Sequence, residues 1–209
     1  MVWALLGVVI LIVIGGKFPR RFRWPFPHAT FRGLHLDPGP VTGGEPGARQ
    51  SRPQGVRVAV PFKSIHFDDG DTVRITWPGG DREEVRMLGV DAPEVAHPSH
   101  GRKFGQKEGP AATEFTQSTF RRASQIELLR AANLDLYGRS LGYFFLDGIN
   151  FSTQMVEAKQ AYETITSMGD NGFPVEAAAV REAAKRVGQP SFEAPHLFRR
   201  RTKNLKSLP

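Results

Sequence analysis

The sequence contains no cysteine, and its two ends contain almost no acidic residues. Without cysteine the protein can form neither disulfide bonds nor thiolate metal sites, although this leaves the redox compartment open. Residues 17–60 hold eight Lys or Arg and only Asp37 and Glu45, and residues 196–209 hold five basic residues and no acid. Residues 61–195 contain 15 basic and 19 acidic residues, a net charge of about −4. The overall pI of about 10.0 therefore reflects the ends of the chain and does not indicate a DNA-binding core.

The first 16 residues carry no charged side chain and are rich in Leu, Val and Ile. This run is slightly shorter than the roughly 20 residues that span a bilayer, and it lacks the basic start and cleavage site of a signal peptide. We interpret residues 1–17 as an uncleaved single-pass membrane anchor, with residues 2–16 in the membrane. A signal peptide or a buried core segment are the alternatives. The basic cluster from Lys17 to Arg23 favours a cytoplasmic domain, or else binds anionic lipid headgroups.

Three regions follow the predicted anchor. Residues 18–54 are rich in Pro, Gly and Arg without a period, which is typical of a flexible linker. Residues 55–195 show the alternating and helical patterns of a folded domain. Residues 196–209 form a basic tail, which we expect to help the linker attract a polyanion.

The folded region is predicted to contain five strands and about three helices. Alternation and turn residues place strands at 56–63, 71–77, 83–90, 126–129 and 141–145. Helical spacing places one helix from Pro110 and two others at 154–161 and 175–187. This order predicts an α+β fold, a five-stranded β-barrel of the OB-fold type with the helices packed outside it.

Five acidic residues lie in two short motifs, FDDGDT and DAPE. Because hard cations prefer oxygen ligands, Asp71, Asp91 and a backbone carbonyl near Ala92 could form an open Ca²⁺ site. The alternative is that DDGDT is an ordinary acidic turn, and that Pro93 only ends a strand beside a solvated Glu94.

Two arginines, Arg86 and Arg139, are candidate partners for a phosphate group at this acidic site. Arg86 lies in an apolar strand, where a guanidinium without an anionic partner would be costly to bury. Two guanidinium groups and a cation can together bind a phosphoryl group, and Glu94 would then be left to take a proton from water. Each arginine also has a plainer interpretation: Arg86 in a salt bridge with Glu84 or Asp91, and Arg139 as a surface cation in a turn.

Strict alternation along a strand would place Arg86 and Asp91 on opposite faces, because they are an odd number of residues apart. Gly89 lies between them and can adopt a bulged or bent backbone. We therefore predict an irregularity near Gly89 that brings both side chains to one pocket.

Residues 56–188 resemble the staphylococcal nuclease family, which comprises Ca²⁺-dependent phosphodiesterases built on an OB-fold. The resemblance rests on motifs in the family's order: DGDT at 69–72, VRMLGVDAPE at 85–94 with His-Pro soon after, GPAATEF at 109–115, and LYGRSLGYFFLDG at 136–148. It implies that Asp71 and Asp91 bind Ca²⁺ together with the carbonyl of Ala92, where the family often has threonine. It also implies that Glu94 acts on the attacking water and that Asp69 supports the metal site without contacting the ion.

For the substrate, the resemblance implies that Arg86 and Arg139 bind the scissile phosphate, that Tyr137 contacts a terminal phosphate and that Tyr162 helps bind the substrate. The expected function is a nuclease, a monomeric hydrolase that cuts DNA and/or RNA with little sequence preference and leaves 3′-phosphates. The alternative is a catalytically inactive OB-type nucleic-acid-binding or scaffold module tethered to a membrane.

Overall fold

The computed structural model describes residues 44–97 and 103–205, with side chains through residue 203. These residues all belong to one compact unit. The predicted membrane anchor, the basic cluster that follows it and the first part of the predicted linker lie outside the described residues. Among the helices in the described part of the chain, none is both long enough and apolar enough to cross a membrane.

A mixed sheet with surrounding helices confirms the predicted α+β class. The strands are β1 (Arg57–Ala59), β2 (Ile65–Phe67), β3 (Thr72–Thr76), β4 (Arg82–Met87), β5 (Val90–Asp91), β6 (Ile126–Leu134), β7 (Ser140–Leu146), β8 (Ile149–Asn150) and β9 (Tyr162–Glu163). The main sheet has the order β1-β6-β7-β4-β3-β2, with β8 beside β7. Only the β4–β7 pair is parallel among the pairings of the described strands. β5 and β9 form a separate two-stranded sheet.

Among the described strands no hydrogen bonds close the main sheet, so the predicted five-stranded barrel is corrected to an open sheet. Its two end strands, β1 and β2, are consecutive in the chain and only residues 60–64 separate them. Because five residues span at most roughly 18 Å, the two end strands lie within reach of this one short connection. Pro61 has no N–H to donate, and a 3₁₀ turn at Phe62–Ser64 follows it, so the predicted strand 56–63 breaks there.

The described residues also contain five α-helices: α1 (Gly109–Arg122), α2 (Phe151–Glu157), α3 (Ile165–Met168), α4 (Pro174–Val187) and α5 (Pro195–Leu205). The predicted helices correspond to α1, α2 and α4. α2 begins before the predicted residue 154 because Asn150 caps it, with its side-chain oxygen accepting the Ser152 N–H at 3.0 Å. The short α3 was not predicted.

The predicted basic tail from residue 196 instead forms most of α5. Phe198 and Thr202 are buried and lie four residues apart on one face of this helix, and the buried Ala194 stands just before it, so this face packs on the domain. This spacing was present in the sequence, but the high charge between these residues hid it.

Phe120 of α1 lies at the centre of the aromatic core. Its ring meets those of Phe67, Phe144 and Phe151 edge-on, with centroids 5.4, 5.2 and 4.9 Å away. Such contacts are favourable for aromatic quadrupoles and join α1 to β2, β7 and α2. α1 is thereby held against the loop that carries Asp69 and Asp71.

Residues 44–54, which we predicted to be linker, pack along β6 instead. Arg49 forms a β-bridge with Asn133. The buried Gln50 donates its side-chain amide to the Ser140 hydroxyl at 2.8 Å. Residues 44–54 pair with β6 because that strand offers a free edge, and not because the segment has an alternating pattern of its own. Its composition alone therefore indicated a linker.

Through the Ser140 hydroxyl, Gln50 is linked to a buried ion pair between Glu83 of β4 and Arg130 of β6. Glu83 and Arg130 are 3% and 2% exposed, and two N–H···O contacts of 2.7 and 2.8 Å join them. The Ser140 hydroxyl and the Trp77 indole N–H also donate to Glu83, at 2.7 and 2.8 Å. Burial alone would raise the pKa of Glu83, but the Arg130 and Ser140 hydrogen bonds and the Arg130 charge outweigh it and lower that pKa.

Arg130→Met is therefore expected to destabilise the protein by about 3–5 kcal/mol at pH 7, because it leaves an uncompensated buried carboxylate. Since the folded pKa of Glu83 is lowered, its favourable contribution is present above the unfolded value of about 4.3 and is lost as the pH falls through the folded value. The deficit of the variant should thus shrink at acidic pH. Urea unfolding at several pH values measures it.

Arg186→Met is the matched control, since Arg186 pairs with Glu157 on the surface and should contribute no more than about 1 kcal/mol. A loss below about 1 kcal/mol in Arg130→Met would contradict the inferred importance of the buried pair.

Candidate active site

The backbone bends sharply between β4 and β5. Gly89 has φ of 81°, a conformation that favours glycine, and a Cβ there would lie 3.1 Å from the Ile165 side chain. After this bend, β5 leaves the main sheet and pairs with β9. The predicted irregularity near Gly89 is confirmed, and it turns Asp91 toward the same side as Arg86.

Asp71 is held at the start of β3 and faces the DAPE segment. Its Oδ2 accepts the Ala92 N–H at 2.5 Å, and its own N–H donates to Asp69 Oδ1 at 3.1 Å. Gly70 permits this close approach, because a Cβ there would lie 2.7 Å from the Ala92 Cβ. Asp69 and Asp71 are 7% and 3% exposed. The acidic loop is therefore built into the domain and is not a solvated turn.

Arg86 joins the two predicted ligand residues. One guanidinium nitrogen contacts Asp71 Oδ1, and the other donates to Asp91 Oδ1 at 2.8 Å and to the Val90 carbonyl at 3.1 Å. Burial is the largest cause of a lowered pKa for Arg86, and the Asp91 and Asp69 charges oppose it. The alternative partner named from the sequence, Asp91, is thus one of two carboxylates that hold this side chain, and Glu84 is not among its contacts in the described residues.

Glu94 completes the group of carboxylates. It is 8% exposed, and its backbone is clamped by Gln106, which accepts the Glu94 N–H at 3.1 Å and donates to the Glu94 carbonyl at 2.8 Å. The clamp fixes the DAPE segment against the loop that leads into α1. Asp71, Asp91 and Glu94 are therefore presented from one side by backbone that has little freedom to move.

Arg139 lies one strand away, just before β7. Its Nε donates to Asp135 Oδ2 at 2.7 Å, and its guanidinium carbon lies 5.3 Å from the centre of the Tyr137 ring. The Arg139 charge is close enough to lower the pKa of Arg86 further, after burial. Tyr137 is 80% exposed. Arg139 is therefore near Arg86 but pairs with Asp135, and Tyr137 beside it is open to solvent.

Tyr162 has a different environment from the one the resemblance implied. Its hydroxyl donates to the Phe192 carbonyl at 2.6 Å, and its ring meets the Phe192 ring edge-on at 5.3 Å. Tyr162 is also paired with Asp91 in the β5–β9 ladder. In this structure Tyr162 fixes the chain that leads into α5.

The residue that sequence reasoning missed is Arg199 of α5. Its guanidinium donates to both oxygens of Asp91, at 3.0 and 2.9 Å, and to Glu94 Oε1 at 2.5 Å. Burial would lower the pKa of Arg199, but the hydrogen bonds and charges of Asp91 and Glu94 raise it. The helical spacing of Phe198 and Thr202 could have revealed α5, but not which arginine enters the site.

The donor chemistry of this site fits a hard divalent cation. Asp71, Asp91 and Glu94 are acidic, buried and arranged around two guanidinium groups, so they already bind cations. Across residues 44–97 and 103–203, no group of three ligating side chains is positioned to hold a metal directly. An ion on Asp91 would have to displace guanidinium contacts, because Arg199 uses both Asp91 oxygens and Arg86 also uses Oδ1.

The fold and the site together define an α+β domain with a carboxylate–arginine centre, and residues 84–186 match the family model described as staphylococcal nuclease homologue. The chain is 36% identical over 90 residues to the thermonuclease of Staphylococcus intermedius, covering 43% of this chain and 51% of that protein. It is 30% identical over 96 residues to the thermonuclease of Staphylococcus hyicus, covering 46% and 54%. The aligned region spans about half the length of these curated relatives. These matches support the staphylococcal nuclease family.

The matched range includes some site residues and leaves others out. Arg86, Asp91, Glu94 and Arg139 fall within residues 84–186. Asp71 and Arg199 lie outside this range, so their place in the site rests on their contacts in the structure and not on the family match.

Proposed function

We propose that the protein is a Ca²⁺-dependent nuclease of the staphylococcal nuclease type that hydrolyses phosphodiester bonds in DNA and/or RNA. The observation that carries this proposal is the shared use of Asp71 and Asp91 by Arg86, with Glu94 buried beside them. A partly buried guanidinium held by two carboxylates is fixed in position before a substrate arrives, which is the arrangement that stabilises a developing negative charge.

In the proposed reaction, Arg86 and Arg139 bind the nonbridging oxygens of the scissile phosphate, since guanidinium groups bind such oxygens in a bidentate manner. Asp71, Asp91 and the Ala92 carbonyl would hold Ca²⁺, which when bound would neutralise charge on the phosphate. Glu94 orients a water molecule and takes its proton. By analogy with the family, the products carry 3′-phosphates.

The surface around the site supports a substrate with a phosphate backbone. The cleft beside Glu94 is lined by Lys103, Phe104, Arg199 and Lys203, and Phe104 is 44% exposed. Positive side chains that follow a backbone bind any sequence, and an exposed aromatic ring can stack on a base. We therefore propose low sequence preference and capture of the polyanion by the basic side chains near α5.

A second function is favoured by one observation, the Arg199 contacts with Asp91 and Glu94. A domain whose carboxylates are permanently neutralised by its own arginine would bind nucleic acid without cutting it. This is the inactive OB-type module considered from the sequence.

Release of acid-soluble nucleotides by the purified protein distinguishes the two functions. With Ca²⁺ in excess we expect release from both single-stranded DNA and RNA, and in a chelator we expect none above background. Activity that persists in chelator would contradict the Ca²⁺-dependent mechanism. Retention of nucleic acid without cleavage under either condition would favour the inactive module.

The membrane tether at residues 2–16, the cytoplasmic location and the monomeric state are further parts of the proposal. The tether rests on the apolar run and the basic residues that follow it. Protease accessibility of the domain in intact cells tests the location.

A further inference from the structure

Arg199 is placed in the site by a helix with fixed anchors. Phe198 and Thr202 are 8% exposed on either side of it along the chain. Just before the helix, the Glu193 carbonyl accepts a hydrogen bond from the Gln106 side chain at 2.7 Å. Gln106 is also the residue that clamps the Glu94 backbone. One side chain thus fixes both partners of the Arg199–Glu94 contact.

The contact itself uses the geometry that carboxylates offer to cations. Asp91 receives two parallel N–H···O bonds from Arg199, at 3.0 and 2.9 Å, and Glu94 receives a third of 2.5 Å. Bidentate pairing of this kind is stronger and more directional than a single surface ion pair. The Asp91 side chain is 6% exposed and the Glu94 side chain is 10% exposed, whereas the Arg199 side chain is 47% exposed. The two carboxylates are therefore enclosed by the domain, whereas the arginine side chain lies at the surface with solvent beside it.

A divalent cation would need the oxygens that Arg199 now occupies. Ca²⁺ binds carboxylate oxygens at about 2.3–2.6 Å, so an ion on Asp91 cannot share both oxygens with a guanidinium at hydrogen-bonding distance. The two positive charges would also repel each other strongly in a site where Arg86 is already present. An ion on Asp91 would therefore displace at least one of the two Arg199 hydrogen bonds to that carboxylate.

We propose that Arg199 is an internal competitor for the cation site, occupying Asp91 and Glu94 until a divalent cation displaces it, and that it thereby sets the metal affinity of the site. This inference rests on the proposed cation site. The apparent dissociation constant of the ion equals its intrinsic value divided by the fraction of molecules in which Arg199 is displaced. Removing the guanidinium charge should therefore tighten metal binding.

Calorimetric titration of Ca²⁺ into the wild type, Arg199→Gln and Arg199→Lys tests the proposal, with Arg201→Gln as the matched control. Arg201 is on the same helix but pairs with Glu193 on the surface. We expect Arg199→Gln to bind Ca²⁺ at least about tenfold more tightly than wild type, since it retains the side-chain stem and loses the charge. Arg199→Lys should lie between the two, and Arg201→Gln should match wild type.

Equal affinity in the wild type and Arg199→Gln would overturn this proposal while leaving the cation site in place. If no variant binds Ca²⁺, both this proposal and the proposed function fail.

A second measurement uses the wild type and does not depend on whether Arg199→Gln folds. The guanidinium NMR resonances of Arg199, assigned by their loss in Arg199→Lys, should shift to the positions of a solvated arginine when Ca²⁺ saturates the site. Resonances that stay unchanged at saturation would overturn the competition, because the ion and Arg199 would then be bound together.

Discussion

Replacing Glu94 with glutamine is expected to lower kcat for nucleotide release by about 10²–10⁴-fold. Glutamine has the same size and can still accept the Arg199 hydrogen bond, but its amide cannot take a proton from water. Glu94 is buried and its backbone is clamped by Gln106, so the substitution should leave the position of the group unchanged. The measured loss would then report proton transfer and not a displaced loop.

The rate should be measured at saturating Ca²⁺ and substrate, since Glu94 also contacts Arg199 and its loss could change the metal affinity. Glu157→Gln is the control for exchanging a carboxylate for an amide, because Glu157 pairs with Arg186 on the surface. We expect its rate to be unchanged. If Glu94→Gln retained the wild-type kcat, Glu94 would have no part in proton transfer.

Arg86→Lys is expected to lower kcat/KM by about 10²–10³-fold. Lysine preserves the charge, but it cannot contact Asp71, Asp91 and a phosphate oxygen at once, as the planar guanidinium can. In the structure, two nitrogens of Arg86 are divided between these carboxylates. Lysine would keep the attraction for the substrate and lose the fixed orientation, so the loss should fall mainly on kcat.

Arg74→Lys is a close control for this substitution. Arg74 lies on the neighbouring strand β3 and forms a bidentate pair with Asp68, with contacts of 2.8 and 2.6 Å. Arg74 makes the same kind of interaction away from Asp71, Asp91 and Glu94. We therefore expect the rate of the Arg74→Lys variant to remain close to that of wild type. Equal losses in the two variants would indicate a general effect on stability and would contradict a specific role for Arg86.

Much of the local structure could be predicted from the sequence because it depends on neighbouring residues. Alternation in the strand that carries Arg86 and the odd spacing to Asp91 together required a bend, and Gly89 provides it with φ of 81°. Arg130 also lies in an apolar strand and also needs an anionic partner, but the sequence did not single it out. Its partner Glu83 is 47 residues away, and no local pattern links the two.

Composition gave the wrong structure for segments that pair with the edge of a strand distant in the sequence. Residues 44–54 have no period of their own, yet Gln50 is buried because β6 and β7 offer it hydrogen-bond partners. Similarly, Pro61 ends one strand, but the chain resumes in β2 because β3 offers a second edge.

The sequence by itself determined the strands β1, β3, β4, β6 and β7, the three main helices and the bend at Gly89. It also determined that Asp71, Arg86, Asp91 and Glu94 lie in short motifs, because each of these features depends on spacing within a few residues. Only the tertiary structure decided which cation meets which carboxylate. Arg199 lies 108 residues from Asp91 and 105 from Glu94, and it reaches them because the apolar face of α5 packs on the domain. Burial of that face fixes the direction of the helix, and the direction of the helix selects one arginine out of three consecutive ones for the site.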